Sequence, residues 1–130
     1  MRLAKNHIDV GLFSNDRESQ LAFWGETVGL EYDHMAKLGG GIQQHRFHLN
    51  GSIMKMNHAR DPLPDEPPCG IHGLLIARDG LAEPQPMEDP EGNRLCLVPP
   101  GFRDVTGIGL VLHVNDLDAT RRFYADVLEM

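Results

Sequence analysis

The chain has 130 residues, enough for one compact core or two small modules sharing a sheet, and too few for two large independent domains. With 41% hydrophobic and 24% charged residues it has the make-up of an ordinary globular protein, neither disordered nor membrane-embedded. A net charge of −7, with twelve scattered Lys and Arg, argues against a general nucleic-acid surface and leaves small neutral or locally bound anionic ligands open.

No apolar run is long enough to span a bilayer, and Met1-Arg2-Leu3-Ala4-Lys5 runs into strand pattern without a signal-peptide core, so a cytoplasmic protein without a membrane partner is expected. In that setting Cys69 and Cys96 are expected as reduced thiols rather than a disulfide.

The first element is a strand. Ile8, Val10 and Leu12 alternate with His7, Asp9 and Gly11, which gives one apolar face and one available for other work. Asn15 is then placed as a helix cap with Glu18 completing a capping box, so a helix begins near Asp16. Leu21, Trp24 and Val28 share one side of it, and Gly29 is placed to end it in a left-handed conformation. This stretch comes back 100 residues later: Ile8 matches Ile108, Asn15-Asp16 matches Asn115-Asp116, Phe23 matches Phe123, Trp24 matches Tyr124, and Val28 matches Leu128. So long a period predicts a duplicated strand-helix unit rather than a solenoid.

Between the copies, Glu31 to Leu38 reads as a short strand and Gly39-Gly40-Gly41 as a break. Ile42 to Leu49 and Ser52 to Asn57 flank Asn50-Gly51, the strongest short-range hairpin signal. That turn sets Leu49 opposite Ser52, Phe47 opposite Met54 and Arg46 opposite Lys55, and opposed side chains share a face. Phe47, Met54 and Met56 should therefore meet the helix, while Gln44, Arg46, His48, Ile53, Lys55 and Asn57 point the other way. Two cations across a ladder repel unless a negative group lies between them, so Arg46 and Lys55 mark either a solvated face or an anion site.

Ala59 to Gly70, with Pro62, Pro64, Pro67 and Pro68, reads as an extended connector. Ile71 to Ala77 is a strand carrying His72, and an irregular stretch follows through Pro84 and Pro86. Asp89-Pro90-Glu91-Gly92-Asn93 is a tight turn into the strand Arg94 to Val98. The second copy closes the chain with a strand over Ile108 to Val114 and a helix over Asp116 to Leu128.

A strand with His at its start, an Asp-led helix with a Phe-Trp or Phe-Tyr pair, a hairpin and an Asp-Pro-Glu-Gly-Asn turn before an apolar strand together resemble the vicinal oxygen chelate superfamily. That group includes glyoxalase I, extradiol dioxygenases and bleomycin-resistance proteins. The resemblance implies an α+β fold of βαβββ modules: a first module over 1–58, a connector and strand pair over 59–106, and an incomplete second module, strand and helix only, over 107–130. Curved sheets would enclose a pocket for a small oxygen-rich or aromatic metabolite, commonly with one divalent metal (Fe, Zn, Mn or Ni) that chelates neighbouring substrate oxygens.

Carried over residue by residue, His7 stands at a metal-ligand position, but Lys55 and Cys96 stand where metal-binding members carry ligands, and Gly107 is the repeat of His7. A second donor set, His7, His72 and Cys96, would suit zinc or iron. Two readings follow: a metal-dependent dioxygenase, lyase or isomerase, or a metal-free binding module of the resistance type with Arg46, His48 and Lys55 on its ligand. The incomplete module implies the front part of a longer chain, or a homodimer in which a second copy supplies the missing strands.

Overall fold

The computed structural model describes residues 5, 7–65 and 70–129, and within them the protein is α+β, with two four-stranded mixed sheets and two short helices. Cys69, two of the connector prolines and Met130 lie outside the described residues. Among those described, no helix is long and apolar enough to cross a membrane.

The first sheet is built from β1 (Val10–Ser14), β2 (Tyr32–Gly39), β3 (Ile42–Leu49) and β4 (Ser52–Ala59), in the order β1-β4-β3-β2. Helix α1 (Arg17–Ala22) joins β1 to β2, and β1 pairs with β4 in parallel. The Asn50-Gly51 turn, with φ of 49° and 85°, sets the register its sequence predicts, Leu49 opposite Ser52 through Arg46 opposite Lys55. Phe47, Met54 and Met56 are buried as expected.

The local start of the helix differs from expectation. Asp16, not Asn15, is the cap, its carboxylate accepting from the Ser19 amide at 3.1 Å. Asn15 has both a donor and an acceptor on its side chain, and it spends them on the connector: Nδ2 donates to the carbonyls of Ala59 and Asp61, and Oδ1 accepts from the Leu63 amide. The strand also begins later than its pattern suggests, at Val10, leaving His7 in the lead-in.

From Phe23 to Thr27 the helix widens to π geometry, closed by the Val28 amide on the Phe23 carbonyl at 2.8 Å. Gly29 then takes a φ of 76°, the left-handed terminator that its sequence predicts.

The second sheet contains β5 (Ile71–Ala77), β6 (Gln85–Glu88), β7 (Arg94–Val98) and β8 (Ile108–Leu112), in the order β6-β7-β5-β8. Its parallel pair β5 and β7, with β6 antiparallel beside β7, repeats the β1, β4, β3 arrangement of the first sheet. Strand β6 falls in the stretch expected to be irregular. It lies at the sheet edge, where Pro86 removes no hydrogen bond that a neighbour needs. Strand β8 pairs antiparallel with β5, Ile76 opposite Ile108, so the segments 59–106 and 107–130 share one sheet.

A single core joins these parts. Trp24, Val28 and Leu30 pack with Phe47, Leu49 and Met54 of the first sheet and with Leu74, Ile76, Leu95 and Leu97 of the second. The Asp-Pro-Glu-Gly-Asn turn locks it. Asp89, 4% exposed, accepts from the amides of Glu91 and Asn93 and from the Asn93 side chain, and its second oxygen also takes the Gln20 amide at 3.1 Å. Gln20 in turn accepts from the Trp24 indole at 2.8 Å, so the turn of one sheet holds the aromatic anchor of the other.

The chain ends in α2 (Leu117–Arg122) and a second π turn over Phe123–Val127, capped by Asp116 on the Ala119 amide at 2.8 Å. No residue of either segment is buried.

Candidate functional site

The two strand-helix units meet at a cleft of about 560 Å³. His7 and Ile8 line it from the first unit, and Gly107 to Leu110, Leu112 and Tyr124 from the second, with Asn50 and Ser52 at the hairpin turn of the first sheet. Its lining is mainly apolar, with His7, Asn50, Ser52 and Tyr124 as its polar residues, a balance suited to a small ligand with an apolar body and a few oxygens.

The Asn50 side chain holds one end together by donating to the carbonyls of Ala77 and Gly107, at 2.7 and 3.0 Å. Gly107 itself runs against the hairpin tip. A Cβ there would sit 3.4 Å from the Asn50 carbonyl oxygen, in ordinary contact with it.

Arg46 and Lys55 are directly opposed in β3 and β4, as the hairpin register requires, and His48 is exposed beside them. The repulsion between the cations is relieved from within the chain. Asp9 accepts from Lys55 Nζ at 2.8 Å and from Lys5 Nζ at 2.9 Å, and its other oxygen accepts from the Ile53 amide. Hydrogen bonds from the two lysines, Lys55 first, hold the Asp9 carboxyl far below the usual carboxylate range.

Arg46 Nε donates to Gln44 at 2.8 Å, the Gln44 amide to Asn57 at 2.9 Å, and Asn57 to the Leu12 carbonyl. This face is therefore an internally satisfied polar network, with Lys55 already countered by a carboxylate. Finding Asp9 in sequence needs the parallel pairing of β1 with β4, which sets Gly11 beside Lys55, and no local signal announces that pairing.

The three candidate metal donors lie on separate elements. His7 lines the cleft, whereas His72 in β5 and Cys96 in β7 do not. The His72 ring stacks on His113 with centroids 4.0 Å apart, and its Nε2 is 3.4 Å from an Arg94 nitrogen. The His113 ring, partial burial and the Arg94 charge together push the His72 pKa down. Cys96 is a free thiol, half-buried, whose S–H points to the Leu97 carbonyl.

Among the described residues no three His, Cys, Asp or Glu side chains are grouped closely enough to hold a metal ion. A guanidinium beside His72 is also an unfavourable neighbour for a cation. His7, His72 and Cys96 thus do not converge on one site.

The fold and the cleft define an α+β protein of two mixed sheets that presents a small-molecule-sized hollow where its repeated units meet. Compared with known proteins, the chain matches no family model and no curated sequence.

Proposed function

We propose that the protein is of the vicinal oxygen chelate type and binds a small aromatic or oxygen-rich molecule in the cleft between its two strand-helix units, without a metal held by His7, His72 and Cys96. The observation that carries this reading is the cleft itself, which both copies of the repeat line, His7 from the first and Tyr124 from the second. The β1-β4-β3-β2 order around α1 supports the family assignment. Aliphatic walls from Ile8, Ile108, Leu110 and Leu112 favour a flat apolar ring, and the His7 and Tyr124 polar atoms favour oxygen substituents on it.

Calorimetric titration with catechol, an aromatic ring bearing two adjacent oxygens, tests the proposal. Binding is expected to survive an excess of chelator and to weaken by at least about tenfold in Leu110→Arg, which puts a charge on the cleft wall. No catechol binding, or binding that a chelator abolishes, would contradict the metal-free reading.

A further inference from the structure

A second cleft, of about 370 Å³, lies under the turn from β2 to β3 and shares no lining residue with the first. Arg17, Lys37, Arg60 and His58 line it together with Gln43, and no Phe, Tyr, Trp or carboxylate does. In a chain of net charge −7, this is a local concentration of positive charge. Among the described residues no carboxylate lies within ion-pair distance of Lys37, and the nearest acid of Arg17 is the exposed Glu18 at 4.0 Å. Arg60 pairs with Asp61 at 3.1 Å, both side chains being largely in solvent.

Two further observations point to a ligand. The Nδ1 atom of His58 is buried and has no hydrogen-bond partner among the described residues, and the same holds for Nε2 of His45. His45 is 7% exposed and lies two register pairs along the same ladder, with His45 opposite Met56 and Gln43 opposite His58. Buried ring nitrogens left unpaired are costly and rare, so the one on His58, a lining residue of the basic cleft, calls for a polar partner.

Arg60 is also held in position. It lies across Gly41, where a Cβ would come within 3.3 Å of its Cβ, Nε and Cζ atoms, and its amide donates to the Gly41 carbonyl.

We propose that this cleft binds a small multivalent oxyanion, a phosphate either free or carried as a phosphomonoester. The Arg17 guanidinium offers paired N–H donors that match phosphate oxygens, Arg60 offers the N–H groups that its pair with Asp61 leaves over, Lys37 adds a point charge, and the His58 ring and Gln43 amide supply single hydrogen bonds. The charged and polar lining groups can each donate to an oxyanion and none is a carboxylate, so the phosphate group is the recognised part.

The test is an NMR titration of the His45 and His58 imidazole resonances with inorganic phosphate and, separately, with glycerol 3-phosphate, sodium chloride holding the ionic strength constant. Both probes should shift His58 saturably, with glycerol as a silent control. The stronger of the two identifies the source, free phosphate or phosphomonoester. Arg17→Gln and Lys37→Gln, both in exposed segments, should each weaken the response several-fold while leaving the unfolding transition in place, and Arg17→Gln with Arg60→Gln should remove it. An equal response to chloride alone, no saturable shift with either probe, or unchanged affinity in the double variant would overturn the proposal.

Discussion

The two strand-helix units share their local design and differ in what covers them. Each helix is capped by an aspartate, each widens into a π turn at a Phe, and each sets that Phe edge-on to the next ring, at 5.3 Å in the first and 5.4 Å in the second. Even the terminator repeats, since Glu129 takes a φ of 55° where Gly29 has 76°. Yet Trp24 is 1% exposed and Tyr124 37%, and Leu117, Phe123 and Val127 are all exposed. Local sequence therefore dictates cap, turn and exit, whereas burial depends on partners: the first helix has a β-hairpin behind it and the Asp89 turn beside it, and the second has neither among the described residues.

The largest effect should separate the units directly. Trp24→Ala empties the centre of the core and should cost about 3–5 kcal/mol in denaturant unfolding, while Tyr124→Ala, on an uncovered helix, should cost under about 1 kcal/mol. Comparable losses would mean that the second helix is packed as the first is.

Next in size is the lock specific to the first unit. Asp89→Ala leaves the Gln20 amide and two turn amides without their acceptor and should cost about 2–3 kcal/mol, with loss of the Trp24 near-ultraviolet dichroism as the turn releases Gln20. Thr120, the counterpart of Gln20, only returns its hydroxyl to the Asp116 carbonyl, so Thr120→Ala should change stability by less than about 0.5 kcal/mol.

The smallest effect is a slope with pH. Burial first, then the charges of Arg17 and His58, hold the His45 pKa below its ordinary value, so the folded state resists protonating that ring. The resulting stability is complete above about pH 6.5 and is lost as pH falls through the folded value, because the unfolded chain takes up the proton more readily. Thermal midpoints should therefore decline between pH 7 and 5, and His45→Gln should flatten the decline. A steeper decline in that variant would reverse the assignment.

How much of this was legible in the sequence depends on the range of the interaction. The Asn50-Gly51 turn gave the register of a whole hairpin, and β5 and β7 have the limits their apolar runs suggest, because turn chemistry and alternation act over a few residues. Strand β6 stayed hidden because Pro84 and Pro86 argue against a strand, and only its edge position, a tertiary fact, makes Pro86 tolerable. The same applies to Asn15, whose side chain suits a cap but is taken by the connector more than forty residues away.

At the site, His7 was legible through the family resemblance, which sets it at a ligand position, while Tyr124 read only as the partner of Trp24 and Asn50 only as a turn residue. The Asp9 to Lys55 pair and the basic cleft were missed because each joins residues from separate segments, Arg17 from the helix and Lys37, His58 and Arg60 from in and beside the hairpin strands.

The hollow between the repeats is the proposed ligand site. Intermolecular NOEs between bound catechol and the protein test it most directly. Contacts from the catechol ring protons to the Tyr124 ring, the His7 imidazole and the Leu110 methyls are the predicted result. Contacts instead to the Arg46 and Lys55 face, with none to Tyr124 or His7, would contradict it.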